Sequence, residues 1–183
     1  MCGIAGILSP NPQQYALPDL QRMTDALAHR GPDGCDHWQS TDGTVLLGHR
    51  RLKILDLSDQ AKQPLHYQDR YTIVHNGEIY NYLELRETLS KSGYAFRTNG
   101  DTEVIAAAFA HWGSACVEQF DGMFAFAIWD EQQQSLFAAR DRFGEKPFYY
   151  TWQDQTLVFA SEIKAFWALS IPKQVDANMA FNY

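Results

Sequence analysis

Met1-Cys2-Gly3-Ile4-Ala5-Gly6-Ile7-Leu8 opens the chain. The apolar positions from Ile4 to Leu8 read as a short buried strand that begins almost at the first residue. Most chains begin with a frayed tail, so a strand here is informative: it draws Cys2 towards a core. With Met1 removed, Cys2 would carry a thiol and a free α-amine on one residue. In model compounds these titrate near about 8.5 and about 7.7–8.0. The amine can then take the thiol proton near neutral pH, directly or through a water, and such a nucleophile needs no His or Asp partner. Read alone, Cys2 is better explained as a small buried residue at the start of a strand, because free cysteine is among the most buried residue types.

Working outward, Leu20, Met23 and Leu27 recur at helical spacing, and Gly31-Pro32 stops that helix. Val45 to Gly48 and Tyr71 to His75 read as strands, the second followed by Asn76-Gly77. Leu83 to Leu89 suits a helix closed by Gly93. Val104, Ile105, Ala108, Phe109 and Trp112 fall on one face of a second helix, with Asp101 or Thr102 placed to cap it. Beyond Gly122 the pattern changes to strands at Met123 to Trp129, Ser135 to Ala139, Pro147 to Thr151 and Leu157 to Ala160. Clusters of strands with helices grouped between them predict an α+β fold rather than a regular β-α-β alternation. Val175 to Ala180 reads as a helix start, yet the sequence stops at Tyr183. A frayed terminus is the plain explanation; a polypeptide that continues further is the expectation.

At 183 residues and 45% hydrophobic the chain suits one domain. Its net charge of −7 and lack of Lys/Arg-rich stretches argue against a nucleic-acid partner. Cys2, Cys35 and Cys116 form an odd, widely spaced set, which predicts neither a disulfide framework nor a metal site. No secretory signal is present, and the longest apolar runs fall far short of a membrane span. A cytoplasmic location fits.

Two further sets of residues invite chemistry. Asn76-Gly77 between apolar runs is a hairpin signal. It is also a candidate oxyanion hole, with the Asn amide and the Gly N–H aimed at one developing O⁻; a tight turn would serve both. Arg51 and Asp101 offer a guanidinium and a carboxylate, the pair that a free amino acid requires. Locally, Arg51 also reads as a surface charge and Asp101 as a helix cap. His29, His49, His66, His75 and His111 lack ligand spacing and read as structural or exposed.

Nine segments decide among these readings: Met1-Cys-Gly-Ile-Ala-Gly6, His29-Arg-Gly-Pro-Asp-Gly34, Gly48-His-Arg-Arg-Leu-Lys-Ile-Leu-Asp-Leu-Ser58, Gln63-Pro-Leu65, Asn76-Gly-Glu-Ile-Tyr-Asn81, Asp101-Thr-Glu-Val104, Phe120-Asp-Gly-Met-Phe-Ala-Phe-Ala-Ile-Trp-Asp130, Arg140-Asp-Arg-Phe-Gly-Glu-Lys-Pro147 and Phe159-Ala-Ser-Glu-Ile-Lys-Ala165. In this order they resemble the glutaminase domain of glutamine-hydrolysing asparagine synthetases, over nearly the whole chain. The resemblance implies an N-terminal nucleophile hydrolase fold, a four-layer α-β-β-α sandwich of two antiparallel sheets. It implies a class II glutamine amidotransferase domain over residues 1–170, with 171–183 starting a linker to a C-terminal synthetase domain. Cys2 would attack the glutamine side-chain amide, and Asn76 and Gly77 would form the oxyanion hole. Arg51 would hold the α-carboxylate and Asp101 the α-ammonium, with Leu52, Ile54, Leu55 and Glu78 lining the pocket. Glutamate and ammonia would leave through a Cys2 thioester.

The resemblance implies no cofactor for this domain. ATP and Mg would belong to the synthetase domain, whose Ser-Gly-Gly-x-Asp-Ser loop this sequence lacks. Departures from the family pattern are Gly100 and Lys53, where Ser is frequent, and Arg50 in a variable slot. His29-Arg-Gly-Pro-Asp33 and Phe159-Ala-Ser-Glu162 favour this branch over sugar-phosphate or purine-pathway relatives. A related amidotransferase with another acceptor, or a non-catalytic interaction domain that kept the fold, are the alternatives. Homo-oligomerisation is left open. Two expectations complete the reading: Phe166, Trp167 and Phe181 expose an apolar face to the synthetase domain, and a chain that retains Met1 has little or no glutaminase activity.

Overall fold

A computed structural model describes residues 1–174 of the chain. Two antiparallel sheets face each other. The first has five strands in the order β2 (Gly34–Gln39), β3 (Val45–Arg51), β1 (Gly3–Leu8), β9 (Thr156–Ala160) and β8 (Tyr149–Gln153). The second has four: β4 (Leu65–Tyr67), β5 (Tyr71–Ile79), β6 (Gly122–Asp130) and β7 (Ser135–Arg140).

Strand alternation builds the layers. Ile4, Val45, Leu47 and Phe159 from one sheet meet Val74, Ala125, Ala127 and Trp129 from the other. The intervening positions face outward. Ala5, Ile7, Leu46 and Val158 pack against Leu20 and Met23 of α1 (Leu17–Ala26) and Phe166 of α4 (Lys164–Trp167). Ile73, Phe124, Phe126 and Ile128 pack against Leu85 and Leu89 of α2 (Tyr82–Lys91) and Val104, Ile105 and Ala108 of α3 (Asp101–Trp112). The result is an α-β-β-α sandwich, the four-layer α+β fold the resemblance implied. Each fully buried Ile, Leu or Phe contributes roughly 1.5–3 kcal/mol to its stability. None of the described helices is long and apolar enough to cross a membrane.

Several local expectations need correction. Asn76-Gly77 is not a turn. It lies inside β5, with Asn76 opposite Ala125 and Gly77 opposite Phe124. Long-range pairing with β6 overrides the local turn preference. Gly is required there for another reason: a Cβ at 77 would sit 2.2 Å from the Met123 carbonyl oxygen. The N-cap of α3 is Gly100, not Asp101 or Thr102. That helix is also buried on every side from Asp101 to Ala108 rather than along one face, because it packs on β4, β5 and α2.

β3 runs past Gly48 to Arg51. The edge strand β2 and the three-residue β4 were not foreseen. Phe166 belongs to the core, while Trp167 is exposed with the Lys173 ammonium 4.0 Å from its ring centroid. Phe181, and the helix start expected at 175–180, lie outside the described residues.

Candidate active site

β1 pairs with β3 from Gly3 opposite Arg50 onward. Continued by one residue, that register sets Cys2 opposite Arg51, on the inner face with Ile4 and His49. The Leu52 N–H donates to Cys2 Sγ at 3.3 Å, and the Arg30 Nε–H donates to the Cys2 carbonyl at 2.8 Å. Burial pushes the Cys2 thiol pKa up. The Leu52 N–H, the terminal ammonium and Arg51 offset this in part, and Asp101 adds to it. The thiol is therefore protonated at neutral pH and needs a base before it can attack.

The opposite wall is the second half of β5. In an antiparallel ladder the N–H and C=O groups of alternate residues point to opposite sides. Residues 76 and 78 face β6. Residues 75, 77 and 79 face the other way, where β4 pairs only as far as Leu65 opposite Ile73. Side chains replace the missing strand. Gln63 Oε1 accepts the His75 N–H at 2.6 Å, and Asp101 Oδ2 accepts the Ile79 N–H at 2.9 Å. The Gly77 N–H lies between these two caps on the same side. The Asn76 side chain turns inward, is 1% exposed, and its Nδ2 amide has no hydrogen-bond partner.

A cavity of about 210 Å³ joins the two walls. Cys2, Arg51, Leu52, Ile54, Leu55, Asn76, Gly77, Glu78 and Asp101 all line it, as does Met1. Arg51 is buried rather than a surface charge: its Nη1 donates to the Ser58 carbonyl at 2.9 Å, and its Nη2 donates to the Asp56 carbonyl. These bonds pin the 52–58 loop to the cavity rim. Asp101 stands across from it at the N-terminus of α3, where its charge also meets the helix dipole favourably. The cavity thus offers one cationic fork, carboxylates, a thiol and donors without partners.

Sequence reasoning missed a buried network behind this wall. His75 and His49, read as structural or exposed, are both buried. His75 Nδ1 lies 3.1 Å from Thr102 Oγ1, which also accepts from Gln63 Nε2 at 3.2 Å. His75 Nδ1 is 4.0 Å from Asp101 Oδ1. Burial lowers the pKa of both histidines, His49 to about 3, so both are neutral at physiological pH. Lys146 and Met123 line the cavity as well. For His49 a signal was available: it stands two residues before Arg51, which on a strand places it on the same face.

The α-β-β-α sandwich brings a cysteine thiol to the start of an inner strand, beside a guanidinium and a carboxylate of the kind a free amino acid requires. The family described as Glutamine amidotransferase domain matches residues 1–183, and the chain belongs to it, as a class II glutamine amidotransferase domain. Asparagine synthetase [glutamine-hydrolyzing] 3 of Bacillus subtilis (strain 168) is 43% identical over 169 residues, covering 90% of this chain and 27% of that protein. Asparagine synthetase [glutamine-hydrolyzing] 1 of the same organism is 39% identical, covering 100% and 29%. Amidase chry2 of Gibberella zeae is 38% identical, covering 93% and 27%. The chain thus spans less than a third of the length of these relatives. A glutamine phosphoribosylpyrophosphate amidotransferase from B. subtilis superposes with a TM-score of 0.77 at 24% identity, over 92% of this chain and 44% of that one. At that identity the likeness shows the fold.

Proposed function

We propose that this chain hydrolyses the side-chain amide of free glutamine to glutamate and ammonia, and supplies the ammonia to an ATP-dependent synthetase domain that forms asparagine. The observation that carries the reading is the cavity itself. The Cys2 thiol and the Asn76 amide, which lacks a partner, face one space with the Gly77 N–H, between Arg51 and Asp101.

In this mechanism Arg51 holds the α-carboxylate and Asp101 the α-ammonium. Leu52, Ile54, Leu55 and Glu78 enclose the side chain. The Cys2 amine takes the thiol proton, and Sγ attacks the amide carbon. The carbonyl oxygen becomes an oxyanion held by Asn76 Nδ2 and the Gly77 N–H. Collapse breaks the C–N bond, and the ammonium just formed on Cys2 returns its proton to the departing nitrogen. Ammonia leaves a Cys2 thioester. Water, activated by the same amine, attacks the thioester and releases glutamate.

The domain needs no cofactor for these steps; ATP and Mg belong with the synthetase domain, the expected intramolecular partner, through a linker over 171–183. The cytoplasm, with its glutamine pool, is the fitting compartment. A different acceptor is favoured by one finding, the similarity to a protein named an amidase rather than a synthetase.

Release of glutamate and ammonia from glutamine by the chain beginning at Cys2 tests this directly. Cys2→Ala should abolish turnover. Arg51→Lys should raise KM roughly tenfold, about 1.4 kcal/mol, because a point charge cannot reproduce the fork. Turnover in Cys2→Ala equal to that of the parent, or an unchanged KM in Arg51→Lys, would overturn the assignment.

A further inference from the structure

The nucleophile and the oxyanion donors sit on different sheets. Cys2 enters β1 of the five-stranded sheet, and Asn76 and Gly77 belong to β5 of the four-stranded one. Around them the contact between the sheets is made of short or apolar side chains: Ile4, Val74, Ala125 and Ala127. Apolar contact is non-directional. It resists separation of the sheets but fixes their relative slide and rotation weakly.

Among the described residues, one directional bond crosses this space. His49, paired with Ile4 on β3 and 1% exposed, places its Nε2 3.1 Å from the His75 carbonyl oxygen. A carbonyl only accepts, so Nε2 carries the proton and His49 donates. The accepting peptide unit is the one that joins His75 to Asn76. Its oxygen points to the side that β4 leaves uncovered. Gln63 Oε1 satisfies the His75 N–H on the same side, so both backbone groups of His75 are held by side chains rather than by a strand. Burial keeps the imidazole neutral, with a pKa of about 3, so the donor tautomer persists at working pH.

We propose that His49 is a positioning residue for glutamine hydrolysis: by tying the β3 side of the nucleophile to the peptide that carries Asn76, it sets the separation between Cys2 Sγ and the oxyanion donors. The inference rests on the glutaminase reading above. Its physical basis is the narrow tolerance of an oxyanion hole, whose donors must reach within about 2.7–3.1 Å of the developing charge. A misplacement of about 1 Å can cost roughly a hundredfold in rate. Arg51 and Asp101 have separate anchors in the 56–58 loop and the Ile79 N–H, so ground-state binding should not depend on His49.

The test compares the parent beginning at Cys2 with His49→Leu and His49→Gln. Glutamine turnover is measured alongside alkylation of Cys2 by iodoacetamide. The expected result for His49→Leu is a fall in kcat of roughly a hundredfold, with KM within about twofold and alkylation unchanged. His49→Gln, which restores an N–H donor at similar reach, should recover at least about tenfold of that loss. A kcat in His49→Leu within about threefold of the parent would overturn the proposal. So would a parallel loss of kcat, glutamine affinity and alkylation, or a failure of Gln to restore rate. A parent that turns over no glutamine would instead sink the glutaminase reading, and this inference with it.

Discussion

A chain freed of Met1 should hydrolyse glutamine at least about a hundredfold faster than one that retains it, the usual scale for a positioned general base. Burial holds the Cys2 thiol protonated at neutral pH, so something must remove its proton. The cavity holds other candidates, among them His75, buried with Nδ1 engaged by Thr102 and Nε2 without a partner, and Asp101, which accepts the Ile79 N–H. On the proposed mechanism the base is the α-amine carried by Cys2 itself, and it exists only after processing. With Met1 attached that nitrogen is an amide, its lone pair delocalised into the planar peptide. Met1 also lines the cavity with Cys2 and narrows it. Intact mass resolves the two forms, and the rate should follow the processed fraction linearly. Equal rates from a sample shown to be wholly Met1-retained would remove the amine from the mechanism.

Asn76→Ala should lower kcat by about a hundred- to a thousandfold, the loss seen when an oxyanion donor is removed, while leaving the fold nearly as stable as before. Those two results seldom coincide for a residue this buried. Removing a buried polar group normally strands its partner, at a cost of about 1–3 kcal/mol. Asn76 Nδ2 strands nothing, because it has no partner in the folded chain. On the proposed mechanism its desolvated amide finds its partner only in the developing oxyanion. Kinetics and thermal unfolding of one sample therefore separate the roles. A large drop in Tm with an equal loss of glutamine affinity would mark Asn76 as structural. An unchanged kcat would mean that the oxyanion is held elsewhere.

The two sheets were legible where apolar alternation is strong. β1, β6 and β9 could be read from residues such as Ile4, Phe126 and Val158. β2 was not, because Gly34–Gln39 is a half-exposed edge strand with a polar sequence. β4 was too short to show a period. The C-terminal half of β3 was hidden by His49, Arg50 and Arg51, polar residues whose alternation is plain only once Arg50 is seen to reach the Thr24 carbonyl at 2.9 Å while Arg51 turns inward. Asn76-Gly77 misled for a related reason. Its local preference is a turn, and only its partners 45 or more residues away on β6 make it a strand.

The site was better legible than the fold around it. The residues read as candidates for the chemistry stand in short recognisable segments, and the structure draws Cys2, Arg51, Asn76, Gly77 and Asp101 to one cavity. The supporting shell was not legible. Gln63, Thr102, His75 and His49 act through contacts between elements distant in sequence. Nothing in their neighbourhoods along the chain signals those contacts, apart from the spacing that puts His49 and Arg51 on one face.

The shortness of β4 has a consequence for any attempt to make this protein sturdier. Pro64, immediately before Leu65, has its φ held at about −65° by its ring, away from the strand value. A designer looking for stability would replace it and carry the strand four residues further along β5, to Gly77. The extended strand would consume the Gly77 N–H as an ordinary rung, displace Gln63 and crowd Asp101. Such a variant would be expected to melt later and to lose its chemistry, because the proposed oxyanion hole draws on a donor that the sheet leaves out of its weave.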